Sequence, residues 1–552
     1  MRHDPRMRLL PSRTRASLAV IAALALAAAT GCKAKEDGVD REGGIFGMKD
    51  APALSKTAEA AAGGVTLPKT PETMPQADGP KIGAIEYVAT IYAEPDSRAD
   101  KVGYLRAGGT LTRAAEPVRK DDCPGGWYRV APEGFMCATK EATTDLENPI
   151  IRALTLRPNI EKPMPYPYAF VRAVAPNYYR VPTKAEQFQF EMALKRHLKS
   201  YERLGAKWDA LSVGANDITL DAEGNAIGIA PEEAPALDYN KFYGGNGSDA
   251  IPWYFDGGRK LPNIASFKVP DYAVITNRVK RKAMLALIGT FVGPNDRRFA
   301  LTTDARLVPT SKLKPDTGST FHGVDLKTGW TLPMAFIKLP GSYSYDLSKA
   351  ALDKKEKIAK HEAVQLTGRS RSLGGHRMLE AMDGSYYREH DLAIVAKPGK
   401  LPSFAKGDKR WIDISIQTQT LVLYEGQKAV YATAVSTGRD GLGDPQKTRS
   451  TPTGVFQIRE KHVTTTMDAN EVDNQFELRD VPWVEYFKGG YALHAAPWHD
   501  DFGKPRSHGC VNLAPIDARR VFMFSDPKLP KDWHGVNASA QTGEGTTVYI
   551  HP

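Results

Sequence analysis

Between positions 494 and 512 the chain brings a thiol and several imidazoles into one short stretch. His494-Ala495-Ala496-Pro497-Trp498 comes first, and twelve residues separate His494 from Ser507-His508-Gly509-Cys510-Val511-Asn512. A free cysteine is only about a few per cent thiolate at neutral pH, so it needs a base or a positive neighbour to act as a nucleophile. This spacing nominates Cys510 as the nucleophile and His494 as the base. Gly509 leaves the backbone beside the sulfur unobstructed, so the N–H groups of Gly509 and Cys510 are expected to face a developing oxyanion. Together these parts suit acyl transfer through a thioester, a reaction that needs no cofactor. His494, His499 and His508 would be the alternative zinc ligands, but no His-x-x-x-His, Cys-x-x-Cys or carboxylate spacing accompanies them. No metal is expected. Taken alone, Cys510 would read as a small buried hydrophobe, Trp498 as a packing residue and His499 as a loop residue.

The motif resembles that of the L,D-transpeptidase catalytic domain, the YkuD domain: a His, a variable spacer, then Ser-His-Gly-Cys, an apolar residue and Asn or Arg. Ser450-Thr451-Pro452-Thr453-Gly454-Val455-Phe456 is similar to that family's strand with a Pro-Thr-Gly turn. Asp480-Val481-Pro482-Trp483 through Tyr491-Ala492-Leu493-His494 is similar to its approach to the active site. The likeness runs from about Lys409 to Pro552 and implies a β-sandwich catalytic domain there. It also implies that Cys510 takes the acyl group and His494 is the general base and acid. His508 and Gly509 would shape the oxyanion site, and Ser507, Asn512 and Trp498 would line the substrate pocket. Ala495 stands where many members have Ser or Gly. The family uses that residue's carbonyl to orient the imidazole, and alanine keeps a carbonyl.

Elements that could hold these residues are legible around them. Trp411-Ile412-Asp413-Ile414-Ser415-Ile416 alternates as a half-buried strand, and Thr420 to Tyr424 with Ala429 to Tyr431 reads as a hairpin across Glu425-Gly426. After Cys510, Pro515-Ile516-Asp517-Ala518 has proline near a helix start and an acid in the first turn. Thr547-Val548-Tyr549-Ile550 is expected to be the closing strand. A mainly β, multidomain chain follows, with a mostly antiparallel catalytic domain over 409–552.

The other end of the chain bears on where the chemistry happens. Five arginines lie within Met1 to Arg15, ahead of the apolar run Leu18 to Ala27 and then Ala29-Thr30-Gly31-Cys32. This pattern, residues 1–31, is that of a secretory signal peptide. Its small residues before Cys32 resemble a lipobox, which implies lipidation of Cys32; plain signal-peptidase cleavage is the alternative. The expectation is an exported protein of the cell envelope or periplasm, held to a membrane through the lipid. Of four cysteines, Cys123 and Cys137 then remain as a pair expected to form a disulfide in an oxidising compartment. Residues 32–80 lack periodicity and read as a disordered tether with a span of about 40 Å. The formal charge is +10, which suits contact with anionic wall polymers or membrane surfaces. No basic stripe with interleaved aromatics is present, so nucleic acid is not an expected partner.

Five short strand patterns between Ala84 and Thr139, among them Lys101-Val102-Gly103-Tyr104-Leu105 and Trp127-Tyr128-Arg129-Val130, suggest a small barrel over 81–142. Its Gly-Trp-Tyr-Arg-Val strand resembles the bacterial SH3-like domain, which implies wall binding or a spacer role. Gly384-Ser385-Tyr386-Tyr387-Arg388 echoes that strand and suggests a second SH3-like segment over 361–400, intertwined with Arg298 to Asp304. Residues 143–360 read as a mixed α+β middle region without an assignable role. Within them Thr183-Lys184-Ala185-Glu186 is a capping-box pattern opening a helix to about Leu204. The function expected from the resemblance is an L,D-transpeptidase acting on peptidoglycan stem peptides. The alternatives are a hydrolase of the same fold and a non-catalytic wall-binding lipoprotein. A thiol–disulfide oxidoreductase would need a Cys-x-x-Cys pair, which is absent.

Overall fold

A computed structural model describes residues 74–245, 247–262, 264, 269–469 and 476–552. The expected signal sequence, the expected lipidation site Cys32 and the expected tether up to residue 73 lie outside them. With 36% strand against 13% helix the molecule is mainly β, as expected.

Residues 409–552, joined by one strand from the middle region, form two packed layers. One sheet orders the strands Val324–Asp325, Lys428–Ala434, Thr420–Glu425, Arg410–Ser415, Thr547–His551 and Gly454–Gln457. Its closing strand runs parallel to Arg410–Ser415, with Ile412 opposite Val548. The facing layer is a long hairpin, Glu460–Ala469 with Phe476–Lys488, extended by Tyr491–Ala495 and Val511–Leu513. Alternation puts Ile412, Ile414, Leu421 and Leu423 of the first layer against Trp483, Leu493, Val511 and Leu513 of the second. Helix Pro515–Phe524 covers that core, with proline at its start and Asp517 in its first turn.

The N-terminal β unit contains Lys81–Ala84, Ala89–Tyr92, Lys101–Leu105, Thr110–Thr112, Trp127–Arg129, Phe135–Cys137 and Ala142–Thr143. Its core of Ile82, Ile91, Val102, Leu111 and Met136 also takes in Trp533 and Val536 from the far end of the chain. Gly103 is required there, because a Cβ would stand 2.3 Å from the Trp533 ring. Cys123 and Cys137 are joined in a disulfide, Cα–Cα 5.9 Å, beside Trp127 and Phe135.

The middle region does not stand apart. Strand Met284–Gly293 runs parallel to the catalytic hairpin at Met284 and Leu478. On the hairpin's other edge Gly535–Asn537 bridges to Lys101–Leu105. One sheet of sixteen strands therefore crosses all three regions. A buried polar node pins the crossing. Arg106 lies 2.6 Å from Asp480, which also accepts from the hydroxyls of Thr464 at 2.8 Å and of Thr303. Tyr168 donates to the Asp480 carbonyl at 2.8 Å, and Tyr87 stacks under the guanidinium at 3.6 Å.

Three expectations are corrected. The capping box at Thr183 and Glu186 forms, but its helix ends at Phe190 and a second, Leu194–Trp208, follows. The break falls at Ala193, whose φ of +50° is outside the helical range. Strand Arg297–Thr302 pairs with Met284–Gly293 and Leu307–Pro309, and so is not intertwined with the segment at 361–400. That segment is in turn part of a seven-stranded unit that begins earlier, at Met334–Ile337, and ends at Leu392–Val395. The first strand is needed because it pairs with both Ala363–Leu373 and the last strand.

Candidate active site

Two neighbouring strands deliver the groups singled out above. Tyr491–Ala495 and Val511–Leu513 run parallel, with Leu493 opposite Val511 and His494 opposite Asn512. Leu493, Ala495, Val511 and Leu513 all lie in the catalytic-domain core. Side chains alternate along a strand, so Ala492, His494 and Asn512 take the opposite face, with Cys510 at the strand's entry. The alternation of apolar with polar residues thus sorts the core from the candidate site.

His494 is buried, with Nδ1 2.8 Å from the Ala495 carbonyl oxygen. A carbonyl only accepts, so Nδ1 carries the hydrogen and Nε2 keeps a basic lone pair. Burial pushes the imidazole down to about 4, opposed by the same carbonyl. Trp498 tilts over the ring with centroids 5.7 Å apart. Cys510 is half-buried and points its thiol at the Gly490 carbonyl, Sγ···O 3.7 Å. Burial pushes that thiol up to about 11, opposed by the Ala492 backbone. At neutral pH both groups are therefore uncharged, and the thiol needs a base at the moment of reaction.

The turn before Cys510 depends on Gly509, whose φ is +123°. A Cβ there would lie 2.6 Å from Cε1 of Tyr491. The Gly509 carbonyl accepts from Thr451 Oγ1 at 2.8 Å, and that oxygen accepts from the Gly438 N–H at 2.9 Å. The segment resembling a Pro-Thr-Gly strand thus braces the turn before Cys510. The Gly509 N–H donates to Ser507 Oγ at 3.0 Å, and the Ser507 hydroxyl donates to the Cys510 carbonyl. Two expectations change as a result. The Gly509 N–H is committed to Ser507 rather than turned towards an oxyanion, and buried Ser507 holds the turn rather than lining a pocket. A glycine in sequence permits many directions for its N–H; the left-handed backbone and a neighbouring hydroxyl selected this one. His508 is exposed on the same turn.

Asn512 is buried and its backbone exchanges two hydrogen bonds of 2.9 Å with Ser436. Its side-chain amide reaches His499, whose Nε2 lies 3.1 Å away. His499 is the residue whose place sequence reading missed: it is buried, not a bare loop position. The loop after it is anchored from outside the domain. Asp500 accepts from Lys360 Nζ at 3.0 Å and from the Ser319 hydroxyl, and it lies 3.5 Å from His361. Nothing in local spacing signals these contacts, which come from more than a hundred residues away. Among the described residues no group of three His, Cys, Asp or Glu side chains is placed to hold a metal.

Residues 409–550 match the family model of the L,D-transpeptidase catalytic domain, YkuD. No curated protein matches the chain. Solved structures similar to it include an L,D-transpeptidase from Stackebrandtia nassauensis, 23% identical over 27% of this chain and 58% of that one, TM-score 0.19. Another is an Enterococcus faecium L,D-transpeptidase, 19% identical over 26% of this chain and 50% of that one, TM-score 0.20. A third, from Mycobacterium smegmatis, is 21% identical over 33% of this chain and 77% of that one, TM-score 0.21. The chain spans 58% of the length of the first and 50% of the second.

Proposed function

Residues 409–550 being an L,D-transpeptidase catalytic domain, we propose that this protein acylates Cys510 with a peptidoglycan stem peptide and passes the acyl group to an amine. One observation carries the reading. The Ala495 carbonyl fixes His494 with a free Nε2 on the strand beside the one that Cys510 enters. In the first half-reaction Nε2 takes the thiol proton as sulfur attacks the carbonyl of the bond before the terminal D-alanine. The tetrahedral adduct collapses, the C–N bond breaks, and the imidazolium returns the proton to the leaving amine, releasing D-alanine and leaving a thioester. In the second half-reaction an amine of a neighbouring stem attacks, His494 accepts its proton, and the thiolate leaves and is reprotonated. Trp498 packs against His494 with ring centroids 5.7 Å apart. The same reading carries export and a lipid anchor at Cys32, with the N-terminal β unit acting as an SH3-like wall-binding or spacing module.

Intact-mass spectrometry of the wild type beside Cys510→Ala, with a disaccharide-tetrapeptide, tests it. Loss of D-alanine with a cross-linked dimer, in the wild type only, is the expected result. Tripeptide without dimer would make water the acceptor, and no turnover would sink the enzymatic reading.

A further inference from the structure

The helix Leu194–Trp208 carries a charge pattern that works against its own stability. One face is anchored in the middle region. His197 Nε2 lies 3.1 Å from the Ser311 hydroxyl, Tyr201 shares a 2.8 Å hydrogen bond with Tyr239, and Arg172 packs over Trp208 at 4.8 Å. Helical periodicity puts Lys195, Lys199, Arg203 and Lys207 on the opposite face, four exposed cations each four residues from the next, and Arg196 is exposed beside them. Glu202 is the helix's one acid. Among the described residues no carboxylate pairs with any of the five cations. Like charges four apart on a helix repel, and cations in the first turn oppose the positive end of the helix dipole. Lys195 and Arg196 stand in that first turn, which has no acid. The ridge therefore costs the helix stability on both counts.

A second basic element is tied to this one. The turn between the strands Ile275–Val279 and Met284–Gly293 reads Arg278-Val279-Lys280-Arg281-Lys282, and all four cations are exposed. Arg278 Nε donates to the Phe190 carbonyl at 3.2 Å, just before the helix begins. The Lys282 N–H donates to the Val171 carbonyl at 2.8 Å, next to the arginine that packs on Trp208. Two large apolar side chains stand at the same junction: Phe188 is 44% exposed, and Met192, in the link before Ala193, is 68% exposed. A polyanion in water would satisfy the cations alone, whereas a bilayer with anionic headgroups also takes up apolar side chains. We propose that this surface is a docking face for an anionic lipid bilayer: the ridge of Lys195, Lys199, Arg203 and Lys207 and the turn at 278–282 meet the phosphate headgroups, while Phe188 and Met192 enter the apolar boundary beneath them. The face stands apart from the acyl-transfer reading and from lipidation of Cys32, and it holds the folded body itself against the bilayer.

The chain from Lys33 on keeps every described residue and lacks the expected signal sequence and lipidation site, so its binding to vesicles reports the folded surface. Sedimentation with vesicles of equal parts phosphatidylglycerol and phosphatidylcholine is compared with pure phosphatidylcholine. Binding to the mixed vesicles that weakens steeply with salt, and little to the neutral ones, is expected. Replacing Lys195, Lys199 and Arg203 together by Gln keeps helix formers at exposed positions and should weaken binding about 100-fold, or roughly fivefold for each cation removed. Phe188→Ser with Met192→Ser should weaken it about tenfold. Met192→Trp, a change at an exposed link, should add emission over wild type that brominated lipid in the mixed vesicles quenches; this reads the face even if the triple variant fails to fold. Equal binding to both kinds of vesicle, or a folded triple variant as tight as wild type, overturns the docking face. A Ser double variant as tight as wild type, or added emission that stays unquenched, makes the ligand any polyanion and overturns the bilayer.

Discussion

Replacing Arg106 by Met should destabilise the whole described molecule, because Arg106 and Asp480 are 6% and 1% exposed and sit where three regions share one sheet. The substitution leaves the Asp480 carboxylate buried with only the hydroxyls of Thr464 and Thr303 as donors. Breaking one side of a buried pair costs about 3–5 kcal/mol. The two remaining donors hold the expected loss near the lower end, about 3 kcal/mol. Burial raises the Asp480 carboxyl, but Arg106 and the hydroxyl donors outweigh it and hold the group below its ordinary value. A carboxylate with a depressed folded pKa contributes fully above its unfolded value near 4, and that contribution fades as pH falls through the folded value. Without Arg106, burial raises the Asp480 carboxyl in the variant, so urea unfolding followed by intrinsic fluorescence should show the full gap between wild type and Arg106→Met only above that raised value, narrowing as pH falls from there towards the wild type's lowered one. Asp480→Asn is the matching variant, since Asn tolerates the φ of +52° at this position. The double variant should recover part of the summed loss. A gap under about 1 kcal/mol, or one that persists unchanged at pH 3, would refute the reasoning.

Alkylation of Cys510 by iodoacetamide without substrate should quicken about tenfold per pH unit from 7 towards 11, since burial lifts the thiol to about 11; a plateau near pH 7 would indicate a thiolate–imidazolium pair instead. His494, His499 and His361 fold with values lowered by burial to about 4, 3 and 4. The unfolded chain thus binds protons first, so stability is flat above pH 6.5 and falls below it by about 1.4 kcal/mol per unit for each ring, as urea midpoints from pH 7 to 4.5 will report. Gly509→Ala forces a Cβ into Tyr491 at a left-handed φ and should abolish D-alanine release; near-wild-type turnover would show that the turn is free to move. Cys123→Ser opens a loop with a sequence separation of 14 and should lower stability by about 3 kcal/mol, read as a shift in the thermal transition that reduction reproduces in the wild type.

The positions of the candidate site residues were legible because residue type and periodicity coincide locally. Cys510, His494 and Asn512 fall at alternate positions of two short apolar strands, so core and site separate along the chain itself. The hairpin from Thr420, the helix at Pro515 and the capping box at Thr183 were legible for the same reason: each rests on contacts between near neighbours in sequence. What spacing could not give was any direction or partner set by distant residues. The sequence left Gly509 free in its N–H, and the Ser507 hydroxyl took it; it left His499 as a loop residue, and the returning loop set it against Asn512. It drew the middle region as a separate stretch, and tertiary pairing at Met284 and Leu478, with Arg106 meeting Asp480, joined it to the catalytic hairpin. Local patterns are fixed by a few dihedrals and alternating polarity, which the chain states outright. Hydrogen-bond partners brought together across hundreds of residues are selected only when burial leaves every donor in need of an acceptor.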